Sequence, residues 1–221
     1  MKDLESIKPF ISSPVKSMIK SIKTTKIYRI LNPSWHKAEV GGLWEEVGKL
    51  ELDFMLDQGL NPEHCLLDVG CGSLRGGVHF IQYLKANNYF GIDINKDLLK
   101  AGRNEIRVNK IQHKNPTLIQ MDNFDFQVLN KKFDYAVAFS VFTHLSLNSI
   151  IKCIINIEKV LKSKGKFYAT FFENSEGNKN LGKISRQCVD GKNIITNFDK
   201  DPYHYEFETF RRICKESKLR V

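Results

Sequence analysis

The sequence contains no apolar run approaching the roughly 18 residues that span a bilayer. Its amino terminus, MKDLESIKPFISS, lacks the continuous apolar stretch of a secretion signal. Cysteine is sparse: Cys65, Cys71, Cys153, Cys188 and Cys214 are scattered, odd in number and without a C-x-x-C pair. That pattern argues against a disulfide framework and against a zinc site, and it fits a reducing, cytoplasmic setting. Internal repeats and low-complexity tracts are also missing. Acidic residues are in deficit, 25 against 34 Lys and Arg, for a net charge of +9. Such an excess raises nucleic acid or an anionic surface as a partner. However, residues 1–40 hold eight basic side chains against three acidic ones, more than half of the excess. A basic catalytic groove is therefore not indicated, and nucleic acid is an unfavoured partner.

At 221 residues and 42% apolar composition, the chain can bury one good core. In the basic leader (1–40), Val15, Met18, Ile19 and Ile22 recur at helical spacing between lysines. This predicts a short amphipathic helix, either packed against protein or laid on an anionic membrane. A glycosyltransferase partner is a further candidate for the leader. The stretch GLWEEVGKLELDFMLDQGL predicts a second helix with a Leu43, Val47, Leu50, Phe54 stripe, stopped at Gly59. Beyond it, strands are predicted at 64–69, 88–93, 116–121, 133–139 and 166–172. Helices are predicted at 76–86, 96–109, 147–162 and 206–217. Strands and helices alternating at these lengths imply parallel pairing with right-handed crossovers. The fold class is thus α/β, a doubly wound, Rossmann-like, mostly parallel sheet over 41–221. Residues 174–203, polar and rich in Gly and Asn, read as a long insertion after the fifth strand.

In such a sheet, ligands bind beyond the carboxyl ends of the strands. The first strand, CLLDV, delivers Gly70, Gly72, Gly76 and Gly77 to that edge, and Asp93 ends the second strand in YFGIDIN. Glycines let the backbone turn tightly against a ligand, and an acid at the second strand end suits ribose hydroxyls. A dinucleotide would need G-x-G-x-x-G to offer a helix N-terminus to pyrophosphate. Here Gly70-Cys71-Gly72 is followed by Ser73-Leu74-Arg75-Gly76, so the spacing fails by one residue. Asp68 inside the motif would also repel phosphate, yet it suits a cation. S-adenosylmethionine carries a sulfonium and an ammonium and no phosphate, and the acid favours it.

Asp68-x-Gly70-x-Gly72, the acid ending strand two, MDNFDF after strand three and FDYAVAFSVFTHL on strand four resemble the class I S-adenosylmethionine-dependent methyltransferases over residues 40–221. The longer strings VGGLWEEVGKL, DVGCGSLRGGVHFIQYL, YFGIDINKDLLKAG, GKFYATFFE and DPYHYEF resemble a bacterial branch associated with surface-polysaccharide and glycosyltransferase functions. The resemblance implies that Asp68, Gly70, Cys71 and Gly72 line the methionine part of the cofactor. It likewise implies that Asp93 takes the ribose hydroxyls, Ile94 packs on adenine, Asp122 and Asn123 meet the adenine amino edge, and Ser140 places its carbonyl near the sulfonium. Two departures stand out. The usual third glycine is Leu74, which implies a differently shaped turn. Arg75 behind it either reaches the methionine carboxylate or is a solvated first-turn arginine. The chain also ends in KLRV, where the family's antiparallel sixth and seventh strands would begin, so the last strands are expected to be missing or altered.

Methyl transfer needs alignment above all, and an oxygen nucleophile also needs a base. His144, past strand four, and His204, ending the insertion, both fall on the active edge and are candidate catalytic residues. Each also has a plain packing reading. Tyr203 and Tyr205 are placed to stack on a sugar, Glu173 to bind an acceptor hydroxyl, and Trp44 either to close over the site or simply to pack. The function expected is O-methylation of a small polar acceptor, a bacterial surface-glycan sugar or its precursor. The rivals are another acceptor, including nucleic acid, and a non-catalytic adenosyl-binding module. D/N-P-P-Y/F, which marks many base-amine methyltransferases, is replaced by AFSVF after strand four.

Overall fold

A computed structural model describes residues 26–174, 182–187, 191 and 193–217. They fall into two compact units, Met1–Gly42 and Leu43–Val221. In the first, α1 (Lys26–Leu31) and α2 (Trp35–Glu39) meet at Asn32-Pro33. The Asn32 side-chain amide donates to the Tyr28 carbonyl at 2.9 Å, and the Arg29 guanidinium lies 4.2 Å from the centre of the Trp35 ring. The amphipathic helix expected around residues 15–22 lies outside the described residues, as does Cys188.

The second unit opens with α3 (Trp44–Asp57). Gly59 ends it as expected. The Gly59 amide donates to the Leu56 carbonyl and the Leu60 amide to the Met55 carbonyl, both at 2.9 Å, with Gly59 at φ 92°. This is a Schellman stop, which satisfies carbonyls the helix leaves open. The buried face differs from the predicted stripe. Trp44, Gly48 and Met55 face inward, whereas Leu50 is 62% exposed and Leu43 and Phe54 also meet solvent. The helix is rotated because its inner face must meet a polar partner, the Arg75 turn described below. Apolar spacing alone does not register that demand.

The sheet comprises β1 (Leu66–Val69), β2 (Tyr89–Asp93), β3 (Thr117–Gln120), β4 (Phe133–Ala138) and β5 (Leu161–Ala169) in the order β3-β2-β1-β4-β5. Every neighbouring pair is parallel. The crossovers run through α4 (Gly77–Tyr83), α5 (Lys96–Val108) and α6 (Leu147–Val160). Because successive strand residues point to opposite faces, the core has two layers. Leu67, Val69, Ala136 and Ala138 pack against Ile150, Cys153, Ile154 and Ile157 of α6. Leu66, Tyr135 and Val137 pack against Met55 of α3, Phe80 and Ile81 of α4, and Leu99 of α5. Strand order reverses between β1 and β4, which opens the ligand crevice at their carboxyl ends.

Two expectations need correction. β5 begins at Leu161, directly after α6. It pairs Leu161 with Phe133, then slips so that Lys166 faces Tyr135. The bulge hides a strand start inside LKSKGK, which reads as a turn. The insertion is not loop throughout: β7 (Lys183–Gln187) and β8 (Asn193–Asn197) form an antiparallel hairpin. Beside it, β6 (Phe172–Glu173) pairs in parallel with β9 (His204–Tyr205), ahead of α7 (Phe207–Glu216). Phe210 of α7 anchors this region, its ring 4.3 Å from Phe171 and 6.1 Å from Phe142 between centres. Among the described residues the sheet holds five parallel strands and no antiparallel pair, and no helix is long and apolar enough to cross a membrane.

Candidate active site

The turn after β1 folds back onto the end of β2. The amides of Gly70 and Cys71 both donate to the Ile92 carbonyl, at 2.7 and 3.0 Å. Gly70 sits at φ 72°, and an added Cβ there would lie 2.4 Å from the Val141 side chain. This position needs glycine for both its conformation and its space. Gly72 follows at φ 54° and donates its amide to Asp93 Oδ2 at 2.8 Å. Asp93 Oδ1 accepts from the Asn95 amide at 2.7 Å. The acid ending β2 thus fixes the glycine turn while each of its oxygens keeps accepting capacity. Burial pushes its carboxyl above the ordinary range, and the Asn95 and Gly72 amides pull it back.

Leu74, which stands in place of the usual third glycine, has a left-handed backbone at φ 75°. Its side chain is fully buried in the space beside Gly77 and Gly102. A left-handed leucine costs about 1–2 kcal/mol, and full burial of its side chain returns about 1.5–3 kcal/mol. At this turn a left-handed backbone is combined with a core side chain that stabilises it.

Asp68 lies almost out of solvent. Its Oδ2 accepts from the Tyr89 hydroxyl at 2.6 Å. Burial pushes its carboxyl up to about 7, opposed by the Tyr89 bond and reinforced by the charges of Glu51 and Asp93. Arg75 is not a solvated arginine. Its Nη2 donates to Glu51 Oε1 at 2.7 Å and lies 3.3 Å from Ser140 Oγ, and both charged side chains are nearly buried. Glu51 is the residue that sequence reasoning missed. Its only signal was a charged position on the face of α3 that carries Gly48 and Met55. An added Cβ on Gly48 would lie 2.4 Å from the Arg75 carbonyl oxygen, so the helix seats directly on the turn.

Ser140 leaves β4 at φ 59°, donating its amide to Thr170 Oγ1 at 2.7 Å, while its carbonyl accepts from Thr143 Oγ1 at 3.2 Å. Ile94 is 66% exposed directly after Asp93 at the carboxyl end of β2. Asp122 and Asn123 are exposed in the loop after β3, which is tied to β2 by the Met121 amide on the Asp93 carbonyl at 3.1 Å. Asp68, Gly70, Cys71, Gly72, Arg75, Asp93, Ile94, Asp122, Asn123 and Ser140 thus occupy one edge.

The acceptor-side candidates divide. His204 is 3% exposed, and its Nδ1 lies 3.0 Å from Thr196 Oγ1 of β8. Its ring belongs to the packing of the insertion, out of reach of an acceptor. Trp44 is likewise buried, at the first turn of α3. Glu173 is exposed on β6, and the Arg186 guanidinium donates to its carbonyl oxygen. Tyr203 and Tyr205 stack with ring centres 6.0 Å apart, and the Tyr205 hydroxyl donates to the Leu145 carbonyl at 2.6 Å. His144 remains open, its Nδ1 2.6 Å from Asp201 Oδ1. No group of three His, Cys, Asp or Glu side chains among the described residues is placed to hold a metal ion.

Residues 67–167 match the family model of a methyltransferase domain. The fold is shared with an S-adenosylmethionine-dependent methyltransferase from Clostridium acetobutylicum ATCC 824, at 13% identity and TM-score 0.58, covering 89% of this chain and 94% of that one. It is shared with magnesium protoporphyrin IX methyltransferase of Synechocystis PCC 6803, solved with bound S-adenosylhomocysteine, at 15% identity and TM-score 0.55, covering 78% and 71%. A glycopeptide N-methyltransferase, MtfA, solved with S-adenosylmethionine, aligns at 16% identity and TM-score 0.51 over 67% of this chain and 64% of its own. At these identities the structural likeness speaks for the fold. The family match runs from β1 into β5, spanning the glycine turn and both acids. Residues 67–167 therefore match a methyltransferase domain, on a fold that S-adenosylmethionine-dependent methyltransferases share.

Proposed function

We propose that this protein methylates a hydroxyl of a small polar acceptor, a surface-glycan sugar or its nucleotide- or lipid-linked precursor. The observation that carries the donor half is the glycine turn held between Asp68 and Asp93. Its chemistry suits a cationic nucleoside. Two buried acids edge it, and the nearby guanidinium of Arg75 is already paired with Glu51, leaving little positive charge for a pyrophosphate. Bound S-adenosylmethionine supplies an electrophilic methyl on positively charged sulfur. In this reading Asp93 accepts from the ribose hydroxyls with the capacity left by its two amide bonds. Ile94 lies under adenine, and Asp122 with the Asn123 backbone meets the adenine edge. Asp68 faces the amino group, Gly70, Cys71 and Gly72 line the methionine chain, and Arg75, held by Glu51, stands near its carboxylate. Ser140 turns its carbonyl toward the sulfur.

The acceptor half rests on the stacked Tyr203 and Tyr205, on the open His144 and on the resemblance of the longer motif strings to a surface-polysaccharide branch. Stacked phenols suit the apolar face of a sugar ring. Calorimetry with S-adenosylhomocysteine tests the donor half; no uptake, with NAD bound instead, refutes it. Release of S-adenosylhomocysteine across a panel of sugar nucleotides and glycosides tests the acceptor half, and transfer confined to amines or thiols refutes that.

A further inference from the structure

His144 and Asp201 come from distant parts of the chain and meet at the carboxyl edge of the sheet. His144 closes the short turn after β4, four residues beyond Ser140, and Asp201 lies in the insertion just before Tyr203. The 2.6 Å separation between Nδ1 and Oδ1 is that of a short, charge-assisted hydrogen bond. Both side chains stay open, at 60% and 58% exposure. His144 Nε2 meets no hydrogen-bond partner among the described residues.

A docking role does not account for the pair. The insertion is already fastened to the same turn by the Tyr203 amide, which donates to the Thr143 carbonyl at 2.7 Å, and by the Tyr205 hydroxyl on the Leu145 carbonyl at 2.6 Å. An exposed ion pair adds only about 0–1 kcal/mol to stability. What the contact bears on is the orientation of the imidazole. A carboxylate at Nδ1 keeps the proton there, so Nε2 is the basic nitrogen and the ring is held in one orientation.

We propose that His144 is the general base for a hydroxyl acceptor and that Asp201 is its positioning residue. This rests on the hydroxyl reading above. As the acceptor oxygen bonds to the methyl carbon, its proton passes to His144 Nε2. The carbon–sulfur bond breaks with its electron pair going to sulfur, leaving a neutral thioether. The imidazolium, held in place by Asp201, then returns the proton to solvent. The substrate class follows: a nucleophile that must shed a proton as it attacks, an alcohol rather than a thiolate.

The test uses the full chain, its Asp201→Asn and His144→Gln variants, and two readouts. Nitrogen-15 NMR of labelled histidine should show the neutral His144 ring protonated at Nδ1. In Asp201→Asn the proton should move largely to Nε2. A wild-type ring protonated at Nε2, or a tautomer unmoved by Asp201→Asn, overturns the dyad without any acceptor. With a hydroxyl acceptor from the sugar-nucleotide and glycoside panel, His144→Gln should lose about 10²–10⁴-fold in kcat and lose the acidic limb of its pH profile. Asp201→Asn should lose about 10²–10⁴-fold in kcat, as replacing the carboxylate that orients a base histidine does, with S-adenosylhomocysteine affinity within about twofold of wild type. Transfer to a hydroxyl undiminished in His144→Gln sinks this proposal and leaves the function reading standing. Transfer only to amines or thiols sinks the function reading itself.

Discussion

Replacing Asp68 by asparagine should remove most of a pH-dependent loss of stability in the free protein. In the fold this carboxyl keeps its proton up to about 7, against an ordinary 3.8, because burial disfavours the charged form more than the Tyr89 hydroxyl supports it. Between roughly pH 4 and pH 7 the unfolded chain has released this proton and the folded one has not. The folded state therefore loses ground as pH rises, and the loss levels off above about 7. Each tenfold step in proton affinity is worth about 1.4 kcal/mol, so the whole interval amounts to about 4 kcal/mol, with about 3 kcal/mol falling between pH 5 and pH 8. Asparagine is isosteric, carries no proton in this range and can still accept from Tyr89. Denaturant unfolding of both proteins at several pH values, at constant slope, isolates the effect. Glu51 and Asp93, also pushed up by burial, tilt both curves the same way. The Asn variant should gain about 3 kcal/mol on the wild type from about pH 5 to about pH 8. Parallel curves would show that Asp68 is ionised throughout and would remove the physical basis given for its environment. The same proton predicts that S-adenosylmethionine affinity rises toward neutral pH with proton release on binding, measurable by calorimetry in buffers of different ionisation enthalpy.

Asp93→Ala removes both the ribose acceptor and the support of the Gly72 amide, so S-adenosylhomocysteine affinity should fall at least tenfold, about 1.4 kcal/mol; unchanged calorimetric affinity refutes the ribose role. Glu51→Ala leaves the nearly buried Arg75 without its 2.7 Å partner and should cost about 3 kcal/mol in unfolding free energy, whereas a loss below about 0.5 kcal/mol would mean that the pair is effectively solvated. Gly48→Ala should gain about 1 kcal/mol from helix propensity alone. Its methyl meets the Arg75 carbonyl at 2.4 Å, so a net loss of about 1–2 kcal/mol is expected in the denaturation midpoint.

Much of the domain was legible in the chain because its strongest signals are local. Five apolar strands separated by helical patterns predict a parallel sheet, and the parallel order β3-β2-β1-β4-β5 follows that plan. The glycine turn and Asp93 were legible because a bare bend and a strand-end acid leave recognisable residue types at fixed places. What escaped was set by tertiary partners. The inner face of α3 could not be read from Leu50 and Phe54, since its register answers to Arg75 across the turn. Leu74 hid a left-handed backbone behind a side chain that ordinarily avoids one. The hairpin of β7 and β8 was masked by its polar residues, which a small exposed sheet allows. Asp201 could not be singled out at all, because its meaning lies in a partner 57 residues away.

The contact between Gly48 and the Arg75 carbonyl also bears on how molecules enter and leave. A helix resting on bare backbone, with no side chain between to yield, has nowhere to slide and is fixed like a keystone. The far rim of the crevice is fastened more lightly. There, among the described residues, the insertion meets the turn after β4 through the Tyr203 amide and the Tyr205 phenol, with the exposed His144–Asp201 pair adding little.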